Sequence, residues 1–287
     1  MKPDYYDEFQ CIADACSLTC CQEWKIAVDR KTAAAWKKTE TPEGVRPKRR
    51  TLSDYTKKCG DGRIITLDEK MRCPFLDERK LCRLVLTYGD AVLSETCTLF
   101  PREKHEVAAG ITEYSLMPCC PAVVDLFRER ECIRFSDEAD SASYGAYKAV
   151  YEVRKHFLTI MADRVYRPAQ SLGMMFYMAL DLCDAGTSWK AEVPKYDDAL
   201  FRKELAGAVE HAGADCWAAF VECNELFLDL AENYRKEGLY RAFLTPAAEE
   251  AEQIAEDYGK IRKEDLDAFA QAFSPYEALM RCYLQSE

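Results

Sequence analysis

The sequence predicts a mainly α-helical protein in two parts: an irregular, cysteine-rich region with short β-hairpins over residues 1–135, then an α-helical domain over residues 136–287. Three observations predict it. From about Ser143 onward the apolar residues recur at three and four positions, the period of a helix with one face toward a core. Ten of the fifteen cysteines fall within the first 120 residues. Charge changes at about the same place: residues 1–130 carry 22 Lys and Arg against 21 Asp and Glu, whereas 131–287 carry 17 against 29.

In the front part, residues 29–38 have the pattern of a helix with Asp29 as its N-cap. Residues 63–67 and 71–76 are expected to pair as a hairpin across the polar turn Asp68-Glu69-Lys70, and a second hairpin is expected from Glu103 through Gly110 to Leu116. Pro121 then opens a helix to about Arg130, at an early position where its missing N–H costs nothing. In the rear part, stripes such as Leu172, Met175, Phe176, Ala179, Leu180 and Cys183 are expected to face a common core. The residues Pro168, Gly186, Pro194, Gly238, Pro246 and Pro275 are expected at helix starts and stops.

No apolar run resembling a signal peptide follows the first residues, and the longest apolar stretch, 173–180, stops at Asp181, far short of a membrane span. The expectation is a cytoplasmic protein without membrane contact. With a net charge of −11 and one short basic run at 46–50, nucleic-acid binding is not expected either. The acidic rear half reads as a solvated helical surface.

A reducing compartment makes clustered cysteines metal ligands or reactive thiols rather than disulfides. Cys11, Cys16, Cys20 and Cys21 lie within eleven positions, and Cys73, Cys82, Cys97 and Cys119-Cys120 sit beside the short elements that follow. Segments with so little core of their own would gain stability from a bound metal. Tetrahedral zinc draws ligands two to four residues apart, which the adjacent pair Cys20-Cys21 fits poorly; iron–sulfur clusters take thiolates from separate segments. Both remain open on spacing alone. One thiol of the adjacent pair is expected to turn into the core. The more widely spaced Cys132, Cys183, Cys216, Cys223 and Cys282 read as small core hydrophobes, and Cys59 belongs to a turn, Cys59-Gly60-Asp61-Gly62, rather than to a phosphate loop.

Other thiol chemistry fits less well. A three-cysteine pattern for radical cleavage of S-adenosylmethionine would need a third cysteine where Glu23 stands, and the histidines at 105, 156 and 211 lie far from the cysteine group in sequence. No strand leads into a glycine-rich loop of the dinucleotide type.

Residues 6–29 (YDEFQCIADACSLTCCQEWKIAVD), Cys73-Pro74-Phe75-Leu76 with Cys82, Ser94-Glu95-Thr96-Cys97 leading to Phe100-Pro101-Arg102, and Ser115-Leu116 with Cys120-Pro121 resemble a cysteine-rich, zinc- or iron-chelating family. Within it they resemble the flagellin lysine N-methylases. The resemblance covers roughly the first 130 residues, with Cys119 standing where the methylases usually have serine. It implies methyl transfer from S-adenosylmethionine to lysines of a protein substrate, flagellin first, and a required iron–sulfur cluster of the 4Fe-4S kind, with zinc as the alternative. It further implies that the ligands come from Cys11, Cys16, Cys20, Cys21, Cys73, Cys82, Cys97 and Cys120. A cubane needs about four thiolates, so some of these eight would serve otherwise. Trp24, Glu23, Asp29 and Arg102 are positional candidates for shielding a cation, taking a proton or anchoring a carboxylate, with a structural role as the plainer reading for each. The rival readings are a non-enzymatic zinc- or iron-binding module and a helical protein-interaction domain.

Overall fold

Asp29 starts the first helix as expected: from extended backbone its Oδ1 accepts from the Thr32 N–H at 2.9 Å. The computed structural model describes residues 1–22, 24–136, 141–212, 216–233, 238–272 and 274–286, and over these the protein is mainly α. The front part contains, in order, β1 (Lys2–Pro3), β2 (Ala27–Val28), α1 (Arg30–Trp36), β3 (Thr56–Cys59), β4 (Gly62–Ile65), α2 (Arg83–Tyr88), α3 (Glu95–Leu99), β5 (Arg102–Ala108), β6 (Ile111–Leu116), α4 (Pro121–Arg128) and β7 (Phe135–Ser136). The rear part is α5 (Lys148–Ala162), α6 (Pro168–Ala185), α7 (Ala199–Ala212), α8 (Cys216–Asn233), α9 (Gly238–Glu256), α10 (Lys263–Ala272) and α11 (Glu277–Ser286).

The β5–β6 hairpin and α4 form where the sequence predicts them, with Glu103 opposite Ser115 and His105 opposite Glu113. The first predicted hairpin does not. Strand β4 lies in the middle of a three-stranded antiparallel sheet, with β2 on one side and β3 on the other, so no edge is left for 71–76. The turn that joins β3 to β4 is Cys59-Gly60-Asp61-Gly62, with Gly60 in the left-handed region. Asp68 closes a tight turn instead, accepting from the Lys70 and Arg72 N–H groups at 2.9 Å each. The segment after it meets Gln22 through a single bridge at Arg72.

Two cores organise the front part. One gathers Ile26, Trp36, Leu52, Tyr55, Phe75 and Leu84, and Cys73 is a buried member of it. The other gathers Tyr5, Leu116, Cys120, Val123 and Phe127, and it is completed by Cys282 from the last helix. Gln285 of α11 reaches the same region, its amide exchanging two hydrogen bonds with the Ile133 backbone at 2.7 and 3.2 Å. The C-terminal helix thus packs into the cysteine-rich half.

In the rear part α6 turns a different face inward from the one its spacing suggests. Ser171, Met174 and Met178 are buried, while Leu172, Phe176, Leu180 and Cys183 are exposed. The helix is apolar around most of its circumference there, so period alone does not select the face. Gly173 lets α6 approach α7, since a Cβ at that position would meet Val209 at 2.4 Å. Pro168 opens α6 and Gly186 caps it as expected, but Pro246 lies inside α9 rather than at an end. Of the five widely spaced cysteines, Cys282 is buried, Cys132 half-buried, and Cys183 and Cys223 exposed; the side chain of Cys216 lies outside the described set. Among the described residues, no helix is long and apolar enough to cross a membrane.

Candidate metal centre

Four separate segments bring their cysteines to one place. Cys21, Cys82 and Cys97 pack against the core of which Cys73 is part. The chain is tied together locally: the Cys73 N–H donates to the Cys21 carbonyl at 2.7 Å, and Leu76 and Cys82 form a bridge across the turn between them. Cys97 lies in the first turn of α3, where its N–H donates to the N-cap hydroxyl of the buried Ser94 at 3.3 Å. Cys82 and Cys120 are themselves the N-caps of α2 and α4.

Of the adjacent pair one thiol turns toward the core as expected, but the two stay within hydrogen-bonding reach of each other. Cys21 faces the core and Cys20 is exposed beside it. A hydrogen bond from Cys21 lowers the Cys20 thiol to about 7, and the same bond together with burial pushes Cys21 up. Burial likewise raises the thiols of Cys73, Cys82, Cys97 and Cys120, partly offset at Cys82 and Cys120 by first-turn N–H groups. The thiol charges of Cys20, Cys21, Cys73, Cys82 and Cys97 also act on one another, and Cys120 responds to Cys16 and Cys20.

The structure therefore brings five of the eight predicted positions into one group and sets Cys16 and Cys120 at its border. Cys11 is exposed, its sulfur accepting from the Ala13 N–H at 3.5 Å. Among the described residues, no three Cys, His, Asp or Glu side chains are close enough as they stand to hold one metal ion. The donor set is nonetheless all sulfur and drawn from four segments, which suits soft, thiolate-binding centres and not a hard cation.

Two supports escaped the sequence reading. Lys80 Nζ donates to the Cys16 and Ser17 carbonyls at 2.8 and 3.3 Å, fastening the 11–21 loop to the turn before Cys82. No sequence signal marks this pair, 64 residues apart. The Ser94 cap, by contrast, was readable as a serine three residues ahead of Cys97.

The positional candidates near the group have structural work. The Trp24 indole N–H donates to the Cys20 carbonyl at 2.6 Å, and its ring packs on Phe100. Asp29 also accepts from the Glu95 N–H at 3.0 Å, so one carboxylate joins α1 to α3. Arg102 donates to the Phe9 carbonyl at 3.0 Å and lies over the Phe9 and Tyr6 rings. Glu23 lies outside the described residues.

No family model matches the chain, and no solved structure matches it. Curated relatives do. The chain is 30% identical to the flagellar biosynthetic protein FliU of Salmonella muenchen over 155 residues, 52% of this chain and 83% of that protein. It is 32% identical to the lysine-N-methylases of Salmonella choleraesuis and Salmonella typhimurium over 124 residues, 42% of this chain and 30% of theirs. The chain thus matches less than a third of the length of those two methylases. On the strength of the first match, which extends over most of the relative, this chain belongs to the family of the flagellar biosynthetic protein FliU.

Proposed function

We propose that this protein is a protein-lysine N-methyltransferase that takes its methyl group from S-adenosylmethionine, acts on flagellin, and holds a 4Fe-4S cluster in its cysteine-rich half. The observation that carries the reading is the gathering of Cys20, Cys21, Cys73, Cys82 and Cys97 from four segments, in a chain similar to proteins named lysine-N-methylases. The cluster, when bound, would supply a rigid cross-link among those segments and a site to which a cofactor's amino and carboxylate groups could bind.

The chain's own residues prepare that site. Packing against Phe75 and Leu84 buries Cys73 and half-buries Cys21, Cys82 and Cys97, the Ser94 cap fixes the backbone at Cys97, and Lys80 fastens the 11–21 loop to the turn before Cys82. Methyl transfer to an amine also requires that the acceptor reach the donor without its extra proton, since an ammonium has no lone pair, and that sulfur, methyl and nitrogen be held in line. Asp29 is not suited to take that proton, because its carboxylate caps two helices.

Incubating anaerobically prepared protein with labelled S-adenosylmethionine and flagellin, followed by mass spectrometry of the lysines, tests the activity. Methyl-lysine is the expected product. A metal-loaded protein that yields none with flagellin or with other lysine-bearing proteins would leave the non-enzymatic metal-binding reading.

A further inference from the structure

Strands β5 and β6 show one face, with Tyr114 and Leu116, to the core of Tyr5 and Phe127 and the other to a cavity of about 520 Å³. Its floor is a polar square formed by the two cross-strand pairs, Glu103 with Ser115 and His105 with Glu113. Its opposite wall is apolar and soft: Phe157, Leu158 and Met161 come from α5 and Met175 from α6. The volume lies in the range that encloses a small organic molecule.

The two carboxylates of the floor differ in how they are balanced. Glu113 is buried, 8% exposed, paired with Arg154 Nη1 at 2.7 Å, and accepts from the Tyr144 hydroxyl at 3.2 Å. Its charge is met within the fold. Glu103 accepts from the Ser115 hydroxyl at 3.2 Å and has the His105 ring at 3.6 Å, and among the described residues no lysine or arginine pairs with it. A carboxylate without a fixed cationic partner, set against hydrocarbon and thioether walls, attracts positive charge more strongly than one in open water. Oxygen donors such as Ser115, Gln285 and Ser286 also line the cavity, but among the described residues no three His, Cys, Asp or Glu side chains stand close enough to hold an inorganic cation.

We propose that this cavity binds an organic cation, an ammonium or sulfonium carried on an apolar or aromatic body, with the charged centre at Glu103 and the body against Phe157, Met161 and Met175. The class follows from the cavity alone. Which cation occupies it rests on the methyl-transfer reading, in which the donor is a sulfonium and the acceptor an amine. Beyond the end of β6 the chain passes Pro118, which lines the cavity, before it reaches Cys119 and Cys120, which do not.

Calorimetric titration of the full, anaerobically prepared chain tests the proposal with three probes: S-adenosylmethionine, its uncharged thioether analogue S-adenosylhomocysteine, and an Nα-blocked lysine amide. At least one of the two cations is expected to bind; if it is the sulfonium, the thioether analogue binds about tenfold or more weakly. Glu103→Gln, isosteric and at a partly exposed position, should weaken the bound cation by about tenfold or more. Met175→Trp should weaken it by filling the cavity. Binding of neither cation, or cation binding unchanged in both variants, overturns the proposal. The two readings separate cleanly. Cation binding that responds to Glu103 in a protein that forms no methyl-lysine defeats methyl transfer and upholds the cavity; methyl-lysine formed at the unaltered rate by both variants does the reverse.

Discussion

At the scale of single residues, Asp29 and the cysteines divide structure from chemistry. Burial acts to raise the Asp29 carboxyl, but the backbone hydrogen bonds from Glu95 and Thr32 outweigh it and hold the group at about 2. Because its folded value lies below the ordinary value of about 3.9, the stability it contributes is fully present above that pH and is lost as pH falls toward about 2. Asp29→Ala should cost about 1–2 kcal/mol at neutral pH in urea unfolding, and the difference between variant and parent should shrink between about pH 4 and pH 2. A difference that stays constant over that window would mean the carboxylate charge plays no part. If the cysteine group holds the proposed cluster, Cys73→Ser, Cys82→Ser and Cys97→Ser should each lose most of the iron and acid-labile sulfide that the anaerobic parent retains, whereas Cys11→Ser should keep it. Zinc bound stoichiometrically with no sulfide would assign the same thiols to a different metal. The family resemblance marked all eight positions; what it did not mark is the separation of Cys11 from the rest, because that depends on how the 11–21 loop is folded back by Lys80.

At the scale of elements, the sequence is legible where an element's own residues decide it. Asp29 before α1, Pro121 at the start of α4 and Gly110 in the β5–β6 turn each act locally, and each element stands where it was expected. Strand partners and helix faces are decided by distant residues, which local spacing does not reveal: β4 is claimed from both sides by β2 and β3, and α6 is apolar on more than one face. Helix α11 shows the same principle in packing. Its Gln285 substitutes for a strand by pairing with both backbone groups of Ile133, more than 150 residues away, in a buried site. Gln285→Ala leaves a buried N–H and C=O without partners and should destabilise the protein by about 2 kcal/mol, each orphaned group costing about 1–3 kcal/mol less what water recovers. Gln285→Glu should be similarly damaging, because a carboxylate offers no donor for the Ile133 carbonyl. Equal stability of all three proteins by chemical denaturation would show that the contact is not maintained in solution.

At the scale of the whole molecule, the division seen in composition is crossed by packing. The front half is cysteine-rich and nearly neutral and the rear half acidic, yet Cys282 and Leu279 of the last helix pack with Tyr5, Val123 and Phe127 of the first region. Arg281 binds the same helix to the end of α5 and the turn beyond it, donating to the Asp163 carbonyl at 3.2 Å and the Tyr166 carbonyl at 2.6 Å. Among the described residues, α8 and α9 pack chiefly on each other and α10 on α8, with Asn224 donating to the Ala251 carbonyl at 3.0 Å. Chain order and stability should therefore disagree. Helix α11 comes last in sequence but shares the buried core of α4, so its amides should open only with that core, whereas α8, α9 and α10 should open at lower free energy. Native-state hydrogen exchange read by mass spectrometry distinguishes the two groups: α4 and α11 protected to the same degree, α8 to α10 exchanging earlier. Protection of α11 that falls with α8 to α10 instead would mean that its contacts with Phe127 and Ile133 are weaker than their burial implies. If the cysteine group cross-links the front half as proposed, removing its metal should lower protection in α4 and in α11 together, through the core that Cys120 and Cys282 share, and leave α8 to α10 nearly unchanged.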